Sequence, residues 1–518
     1  MRQLSVLDLL ETSAEKYPEK AAVITPKGSY SYRRLLEDAK RLGAFIHEAK
    51  GRTNEPVCIF MEKSYLHLAA MYGTLYSGNF YVPVDNKTPL ERLESILTAV
   101  ETRFVLTNPK GKKELDKMGF TGEVYVIDEN EEGLTVTKDE SLLALEGGLP
   151  GSIRENFTDT SLMYLIFTSG STGVPKGVAI NHRAVMDYID AFISEIGLDE
   201  NDICGNQAPF YTDFSLRDIY GSAAVGAAIC IIPQSYFISP KRLLNFMDES
   251  GVTFLSWVPT AYRLVSQFDG LSKVRPGALK KLLFSGEGMP VPVYSYWKSF
   301  YGNAEFIQCY GPTEATGACC YFKAGGDYDE SDTIPIGHAF KNTGILLLDE
   351  EDNIIDITSF GVKGEICVYG TCLADGYYNN PEKTDAAFVQ NPLFKGTKSL
   401  MYRTGDLGYY NPEGELVFSS RKDYQVKHMG KRIELGEIET AFAAVEEIKA
   451  CCCTHNTKDD ALVLYYTGDI DKKELSLRVG KKLPQYMIPA DYVQLEELPM
   501  LESGKLDRKK MAQMTNNN

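Results

Sequence analysis

Runs of strand type alternate with segments of helix type over about the first four hundred residues, and this alternation constrains the fold more than any other feature. The runs of strand type are Val57–Met61, Arg103–Thr107, Glu123–Ile127, Ala227–Pro233 and Thr253–Val258, and those of helix type are Glu91–Glu101 and His182–Gly197. Such alternation favours an α/β protein with largely parallel sheets that are buried on both faces.

The character of the sequence changes after residue 400. Gly405–Asp423 contains short strand-like runs around a Pro-Glu-Gly turn, and a basic amphipathic region follows it and ends in Gly504–Lys510. We therefore expect a boundary near Ser419–Asp423, which divides the chain into domains 1–420 and 421–518. A second domain of about a hundred residues lies within the usual size range.

Charge and hydrophobicity exclude several classes of protein. The 518 residues carry 54 Lys+Arg and 71 Asp+Glu, so the net charge is 54 − 71 = −17. This charge and the absence of a basic block argue against nucleic acid as the main partner. No apolar run approaches the ~20 residues of a membrane-spanning helix, and the N-terminal residues become charged too early for a secretory signal. We expect no membrane insertion.

The cysteines predict a reducing, cytoplasmic compartment. Eleven are present, but their spacing fits neither a CxxC zinc site nor a disulfide framework. Six are scattered, and the others stand in the clusters Cys319–Cys320 and Cys451–Cys453. With six histidines and no HExxH motif, we expect free buried thiols and no structural metal.

The glycine-rich stretch Tyr164–Val178 is the most informative motif. A hydrophobic strand, Leu162–Phe167, leads into a loop of small and hydroxyl residues, and Lys176 follows. Glycines allow the backbone to approach an anion, amides and hydroxyls donate to phosphate oxygens, and a lysine adds a positive charge. No GxxxxGK[ST] spacing is present, so this loop predicts phosphate binding without being a Walker loop.

Further motifs accompany this loop in a fixed order. They are Tyr30–Ile46, Tyr76–Asp85, Tyr310–Thr316, Gly376–Phe388, Tyr402–Gly408, Arg421–Glu439, Leu483–Pro489 and Ser503–Lys510. Together they resemble the adenylate-forming superfamily of acyl-CoA synthetases, peptide synthetase adenylation domains and firefly luciferase. The resemblance covers nearly the whole chain. It implies a large α/β N-terminal domain with parallel-rich sheets flanked by helices, and a small mobile α+β C-terminal domain.

The resemblance implies joining of a carboxylate to ATP, release of pyrophosphate and transfer of the acyl group to a thiol. Lys505 matches the lysine that bridges the reacting anions, where cationic charge is needed. Glu314 matches the Mg²⁺ ligand, Asp406 the ribose ligand, and Asp423 the hinge. The implied ATP-binding residues are Thr168, Ser169, Gly170, Ser171, Thr172, Gly173, Lys176, Gln308, Cys309, Tyr310, Gly311, Pro312, Thr313, Asp406, Phe418, Arg421 and Lys505.

An amino acid is the implied carboxylate substrate. Asp213, in Asn206–Ser222, matches the carboxylate that pairs with the substrate's α-ammonium in amino-acid-activating members. Acyl-CoA ligases for other acids have no cation to satisfy there, and burial of a lone carboxylate is costly. The implied substrate-binding residues are Asp213, Phe214, Arg217, Ser256, Leu283, Ser285, Cys309, Gly317 and Lys505.

Two features of the sequence point to different amino acids, so the identity of the substrate stays open. The motifs resemble the D-alanine–carrier protein ligase, and Phe214 favours a small side chain. Arg217, however, favours an acidic or amide side chain if it points inward, or pairs with a neighbouring carboxylate if it points outward. Ser285 and Cys309 also depart from the D-alanine ligase pattern.

The resemblance also implies the thiol acceptor, a phosphopantetheinyl carrier protein. We expect it in trans, because no carrier motif follows Lys505–Lys510. The alternatives are a peptide-synthetase-type enzyme for another amino acid, an acyl-CoA ligase, and a catalytically silent nucleotide-binding protein. Asp213 argues against the acyl-CoA ligase, and the intact Lys176, Glu314, Asp406 and Lys505 argue against the silent protein.

Overall fold

The computed structural model describes residues 5–131, 133–145, 148–151, 153, 157–168, 175–422, 425–457, 459–480, 482–500 and 506–517. Its α-helices are α1 (Val6–Lys16), α2 (Tyr32–Lys50), α3 (Tyr65–Tyr76), α4 (Leu90–Ala99), α5 (Pro109–Met118), α6 (His182–Ile196), α7 (Ser222–Val225), α8 (Pro240–Glu249), α9 (Pro259–Gln267), α10 (Gly270–Lys273), α11 (Val291–Phe300), α12 (Pro381–Ala387), α13 (Leu435–Ala443), α14 (Lys472–Val479) and α15 (Arg508–Asn517).

The strands of the first half of the chain are β1 (Ala21–Thr25), β2 (Gly28–Ser31), β3 (Pro56–Phe60), β4 (Phe80–Val84), β5 (Phe104–Thr107), β6 (Glu123–Asn130), β7 (Gly133–Lys138), β8 (Ser141–Leu143), β9 (Leu162–Thr168), β10 (Lys176–Asn181), β11 (Ile203–Asn206), β12 (Ala228–Ile231) and β13 (Phe254–Trp257). Those of the second half are β14 (Lys281–Ser285), β15 (Glu305–Tyr310), β16 (Cys320–Ala324), β17 (His338–Ala339), β18 (Thr343–Leu348), β19 (Gly364–Gly370), β20 (Gly376–Tyr377), β21 (Phe388–Gln390), β22 (Leu400–Tyr410), β23 (Leu416–Arg421), β24 (Gln425–His428), β25 (Lys431–Glu434), β26 (Ile448–Asn456), β27 (Ala461–Gly468) and β28 (Asp491–Gln494).

The chain divides into two compact units. The larger comprises Met1–Asn86, Val100–Ile166 and Val178–Ser420, and the smaller comprises Lys87–Ala99, Phe167–Gly177 and Arg421–Asn518. A mixed α/β fold with a large N-terminal and a small C-terminal part confirms the predicted fold class. The smaller unit includes two short segments from earlier in the chain, which the sequence analysis did not assign to it.

Two nine-stranded sheets organise the larger unit. The first has the order β17-β16-β15-β14-β13-β11-β12-β1-β2, and the second has the order β20-β10-β9-β4-β3-β5-β6-β7-β8. Strands β15, β14, β13, β11, β12 and β1 pair in parallel, and the edge pairs β15–β16, β16–β17 and β1–β2 are antiparallel. Strands β3, β4, β5 and β13 are buried along their whole length, which explains their nearly continuous apolar sequences.

A third sheet in the larger unit has the order β18-β19-β22-β21, and β23 pairs with β22. Strands β22 and β23 flank the predicted Pro-Glu-Gly turn at residues 412–414. This sheet carries the motif Tyr402–Gly408, so its register matters for the site described below.

The smaller unit has its own hydrophobic core. Strands β26, β27 and β28 form a sheet, β24 and β25 form a hairpin, and α13 packs its apolar face with Ile438 and Phe442 in the core. Cys453 and Leu464 lie in the same core. All eleven cysteines of the chain are free and buried, as predicted. Among the described residues, no helix combines the length and apolar composition that a membrane crossing requires.

Candidate active site

The carboxyl ends of three neighbouring parallel strands supply one side of the candidate site. Ser256, the penultimate residue of β13, pairs in register with Leu283 of β14, and Ser285 pairs in register with Cys309 of β15. Because side chains alternate along a strand, these four residues share one face of the sheet. All four are buried. This is the edge of a parallel α/β sheet where ligands bind, and the structure thus brings together four of the predicted substrate-binding residues.

Arg217 faces the interior of the larger unit. It begins a π-helical turn, Arg217–Gly221, that continues into α7. Only 1% of the residue is exposed, and its charge interacts with Tyr188, Cys309, Asp218 and Asp213. The guanidinium carbon lies 5.5 Å from the centroid of the Phe214 ring. The side chain is thus enclosed within the larger unit and not exposed to solvent. Single π-turns are frequent at functional sites.

Several buried polar atoms at this place have no hydrogen-bond partner among the described residues. They are Nε and Nη1 of Arg217, Oδ1 of Asp218, the hydroxyls of Ser256 and Ser285, and the hydroxyl of Tyr188. Buried polar groups in folded proteins nearly always have partners. A cluster of exceptions therefore indicates a place where a polar ligand binds.

Asp213 is a buried carboxylate at the same site. Burial raises its pKa to about 6, against the opposing influence of Arg217 and of a hydrogen bond from the Thr313 side chain. Phe214, the next residue, lies against Gly286, where an added Cβ would come within 3.0 Å of the ring. The site thus places the buried Asp213 carboxylate and the buried Arg217 guanidinium near the Phe214 ring.

The motif Tyr310–Thr316 leaves the end of β15 as a short 3₁₀ turn, Thr313–Ala315. The Glu314 carboxylate is fully buried and accepts a hydrogen bond of 2.7 Å from the Tyr377 hydroxyl. Gly311 is required by close packing, because an added Cβ would lie 2.6 Å from the backbone of Ala318.

Two other predicted residues flank this motif. Gln308 points to the sheet face opposite Cys309, and its Oε1 has no partner among the described residues. Gly317 has a φ of +77°, and an added Cβ would lie 2.8 Å from the Tyr188 ring. Pro312 precedes the 3₁₀ turn as its N-cap.

A β-bulge presents Asp406. Strand β22 pairs with β19 on both sides of Thr404–Asp406, with a shift of register between them. Glu365 holds this bulge, because its Oε1 accepts from the backbone N–H of Gly405 at 3.0 Å and its Oε2 accepts from Arg403 at 2.6 and 2.9 Å.

The carboxylate of Asp406 itself is buried beside an aromatic residue. It accepts a hydrogen bond from the Tyr310 hydroxyl. The Tyr310 ring lies 6.4 Å, between centroids, from that of Phe418. Three of the predicted ATP-binding residues, Tyr310, Asp406 and Phe418, are thus brought together.

The remaining predicted residues belong to the smaller unit or lie outside the described residues. Thr168 ends β9, Lys176 begins β10 and Arg421 ends β23. The residues outside the described ranges are Ser169, Gly170, Ser171, Thr172, Gly173, Asp423 and Lys505.

Three polar residues of the site were not predicted from the sequence. Asp218 Oδ2 accepts from the Asn206 side-chain amide at 2.8 Å. Lys63 Nζ donates to the side-chain and backbone oxygens of Asn206 and to the backbone oxygen of Gln207, at 2.8 to 3.0 Å. Burial lowers the pKa of Lys63 to about 7, although Asp218 opposes this change. Asn206 and Asp218 stand in a recognised motif, whereas Lys63 lies far from it in sequence and carries no signal.

The smaller unit contains a group of possible metal ligands that was also not predicted. The ring nitrogens His428 Nδ1 and His455 Nε2 lie 3.0 and 2.8 Å from the same oxygen of Asp460. The three ligand atoms all lie within 4.8 Å of one another. Since both imidazoles already hydrogen-bond to the carboxylate, the group is satisfied as a buried polar network.

The chain belongs to the AMP-binding enzyme family, within the adenylate-forming superfamily. The sequence model of the AMP-binding enzyme matches residues 10–378, and that of the AMP-binding enzyme C-terminal domain matches residues 437–505. These matches confirm the resemblance inferred from the motifs.

Relatives with known names support the same membership. The chain is 32% identical to tyrocidine synthase 2 of Brevibacillus parabrevis, over 98% of this chain and 13% of that protein. It is 30% identical to tyrocidine synthase 1 of the same organism, over 98% of this chain and 44% of that protein. It therefore spans less than half the length of these curated relatives. The crystal structure of IdnL1 superposes with a TM-score of 0.82 at 27% identity, over 96% of this chain and all of that one.

The structure of holo-PA1221, a peptide synthetase protein containing adenylation and PCP domains, superposes with a TM-score of 0.80 at 26% identity. The match covers 98% of this chain and 84% of that one.

Proposed function

We propose that the protein activates an amino acid as an aminoacyl-adenylate and transfers it to the phosphopantetheine thiol of a carrier protein. The observation that carries this proposal is the buried Asp213 carboxylate, which lies near polar atoms that have no hydrogen-bond partner in the part of the chain that the structure describes. A carboxylate in such surroundings binds a cation favourably, and an α-ammonium group meets this requirement. The peptide synthetase proteins among its relatives support an amino acid as substrate.

In the proposed first step the α-carboxylate oxygen attacks the α-phosphorus of ATP and pyrophosphate leaves. Asp213 holds the α-ammonium and so orients the attacking carboxylate. Asp406 binds the ribose hydroxyls, Tyr310 and Phe418 flank the adenine, and Thr313 donates to the α-phosphate. Lys505 balances the negative charge of the two anions as they meet.

Glu314 is the proposed ligand of Mg²⁺. Its buried carboxylate is the hard oxygen donor that this ion prefers, and the Tyr377 hydroxyl fixes its orientation through Oε1. When bound, the ion neutralises charge on the phosphates. The remaining ATP contacts that we propose are Thr168, Ser169, Gly170, Ser171, Thr172, Gly173, Lys176, Gln308, Cys309, Gly311, Pro312 and Arg421.

The second proposed step is thiolysis of the adenylate by a carrier protein that is a separate chain. The existence of holo-PA1221, in which adenylation and PCP domains occur together, supports a carrier as acceptor. We also propose that residues 421–518 act as a domain that moves about Asp423 between the steps. The enzyme is proposed to act in the cytoplasm, where free thiols are stable.

Amino-acid-dependent ATP–pyrophosphate exchange across L- and D-amino acids tests the first step. We expect exchange with at least one amino acid, and its loss in Asp213→Ala because the ammonium loses its counter-charge. Ser239→Ala, at an unrelated surface turn, serves as the matched control and is expected to retain the exchange rate. Unchanged exchange in Asp213→Ala would mean that this carboxylate does not bind the α-ammonium, and no exchange with any amino acid would favour an acyl-CoA ligase or a silent nucleotide-binding protein.

D-alanine is one form of this proposal, and another amino acid in a peptide-synthetase-type enzyme is the alternative. The buried Arg217 favours the alternative, because a methyl side chain has no polar atom to offer a guanidinium. The same exchange panel distinguishes the two.

A further inference from the structure

We propose that the side chain of the amino-acid substrate carries a carboxylate and that Arg217 binds it. This inference rests on the proposed amino-acid adenylation and specifies its substrate class. It assigns a specificity-determining role to a residue that the structure encloses within the larger unit, beside the Phe214 ring.

The first argument is the isolation of the guanidinium. Arg217 is 1% exposed, and its Nε and Nη1 have no hydrogen-bond partner among the described residues. A buried guanidinium is always charged, so it needs compensation by an anion and by hydrogen-bond acceptors. Asp213 and Asp218 act on its charge, but neither forms an ion pair with it among the described residues. Arg403 and Arg508, by contrast, have such pairs. A ligand that carries a planar anion would complete the site.

The second argument is position. Arg217 interacts electrostatically with Cys309 and Asp213, which places its charge beside the sheet face that carries Ser256 and Ser285. Asp213 is the proposed partner of the α-ammonium. The charge of Arg217 thus lies near the carboxylate that is proposed to hold the α-ammonium, where a polar side chain of the same amino acid would meet it.

The third argument is the distribution of charge. The other carboxylate nearby, Asp218, is bound through Oδ2 by the Asn206 amide, and Lys63 is the second cation close to it. Arg217 and Lys63 both act on the charge of Asp218. Because Asp213 is the proposed partner of the α-ammonium, two cations face one remaining carboxylate, and a carboxylate on the substrate would balance the second cation. The hydroxyls of Ser256 and Ser285, which have no hydrogen-bond partner among the described residues, add two donors at the same face.

A carboxylate fits these groups better than an amide or a methyl group does. Both of its oxygens accept, and the guanidinium fork and the two hydroxyls all donate. The NH₂ of an amide would meet these donors with a donor of its own. A methyl group would leave the guanidinium without a partner, which makes alanine and glycine poor substrates.

The test is ATP–pyrophosphate exchange with aspartate, glutamate, their amides, alanine and leucine, each as L- and D-forms. We expect an acidic amino acid to exceed its amide in kcat/KM by about a hundredfold or more, since a pocket built for hydrogen bonds rejects analogues strongly. Arg217→Met keeps the length of the side chain and removes the charge. In this variant the ratio of acid to amide is expected to fall to within about tenfold, while exchange with leucine rises.

The ratio is measured within one protein preparation, so it does not depend on how much of a variant is folded. Arg242→Met is the matched control, because Arg242 is exposed and its guanidinium lies over Tyr236, 4.0 Å from the ring centroid. It is expected to keep the wild-type ratio.

The two proposals fail in different ways. If no amino acid supports exchange in the wild type, the proposed function itself is wrong. If exchange is supported but is fastest with alanine, leucine or an amide, or if Arg217→Met keeps the acid preference, amino-acid adenylation stands and the assignment of Arg217 is overturned.

Discussion

The protonation state of Asp213 is expected to control binding of the amino acid. The α-ammonium needs an ionised carboxylate, but burial raises the pKa of Asp213 to about 6 in the free enzyme. Below that pH the residue is protonated and loses its attraction for the ammonium, and above it the attraction is complete. We therefore expect kcat/KM for the amino acid to fall about tenfold per pH unit below about pH 6.

The measurement is the pH profile of ATP–pyrophosphate exchange with the preferred amino acid under kcat/KM conditions. The KM for ATP over the same range serves as the control, because Asp213 is not proposed to contact ATP. A flat profile for the amino acid between about pH 5 and pH 7 would contradict the proposed role.

At the scale of elements, Glu365 holds the bulge in β22, and the bulge fixes the position of Asp406. This carboxylate is buried, and it binds both the Gly405 amide and Arg403. We expect Glu365→Ala to lower the free energy of unfolding by about 2 kcal/mol, since the Gly405 N–H loses its acceptor and Arg403 keeps only its pair with Asp352. We also expect a rise in the KM for ATP, because the bulge no longer fixes Asp406.

Urea unfolding and the KM for ATP measure these two effects. Glu305→Ala is the matched control, because Glu305 forms an exposed pair with Lys323, and such pairs contribute about 1 kcal/mol or less. An unchanged KM for ATP in Glu365→Ala would show that the bulge keeps its geometry without this carboxylate.

In the smaller unit, Asp460 links β24 to β26 through hydrogen bonds with His428 and His455. Burial alone would raise the pKa of Asp460, but hydrogen bonds from His428 and His455 outweigh it and hold the pKa well below its ordinary range. A carboxylate with a depressed folded-state pKa contributes stability that is present above its unfolded pKa of about 4 and is lost as the pH falls through the folded pKa. Asp460→Asn is therefore expected to cost about 1–3 kcal/mol at pH 7.

Thermal unfolding of both proteins between pH 7 and pH 3 tests this expectation, and the difference should shrink only at the acid end. Asp459→Asn, one residue away and exposed, is the control. A difference that is constant over the whole range would assign the effect to packing rather than to charge.

Strands whose burial shapes their own sequence were predictable from the sequence. Features that depend on contacts between residues far apart in the chain were not. The continuous apolar runs at Val57–Met61 and Thr253–Val258 correspond to β3 and β13, because full burial of a strand leaves its mark in the local sequence. The burial of Arg217 leaves no pattern in the neighbouring sequence, since it depends on strands β13 to β15, which follow it by more than thirty residues. The pairing of His428 with Asp460 likewise arises only from the fold of the smaller unit.

At the scale of the whole molecule, the two proposed half-reactions make different demands on one lysine. Lys505 lies outside the described residues, so its role is a prediction of the sequence motif alone. Adenylation brings two anions together and needs its charge, whereas thiolysis of a finished adenylate does not. We expect Lys505→Ala to slow adenylation by about 10²–10³-fold, the usual cost of losing one such charge contact.

Exchange assays report the first step, and thioester formation on a carrier protein from a supplied aminoacyl-adenylate reports the second. The second rate is expected to stay within about threefold of wild type, because the step no longer contains the reaction that Lys505 serves. Lys510→Ala is the matched control, since it removes an exposed lysine from the same basic segment. Equal losses in both steps would mean that Lys505 stabilises the smaller unit or binds the carrier, and the division of chemistry proposed for the molecule would have to be abandoned.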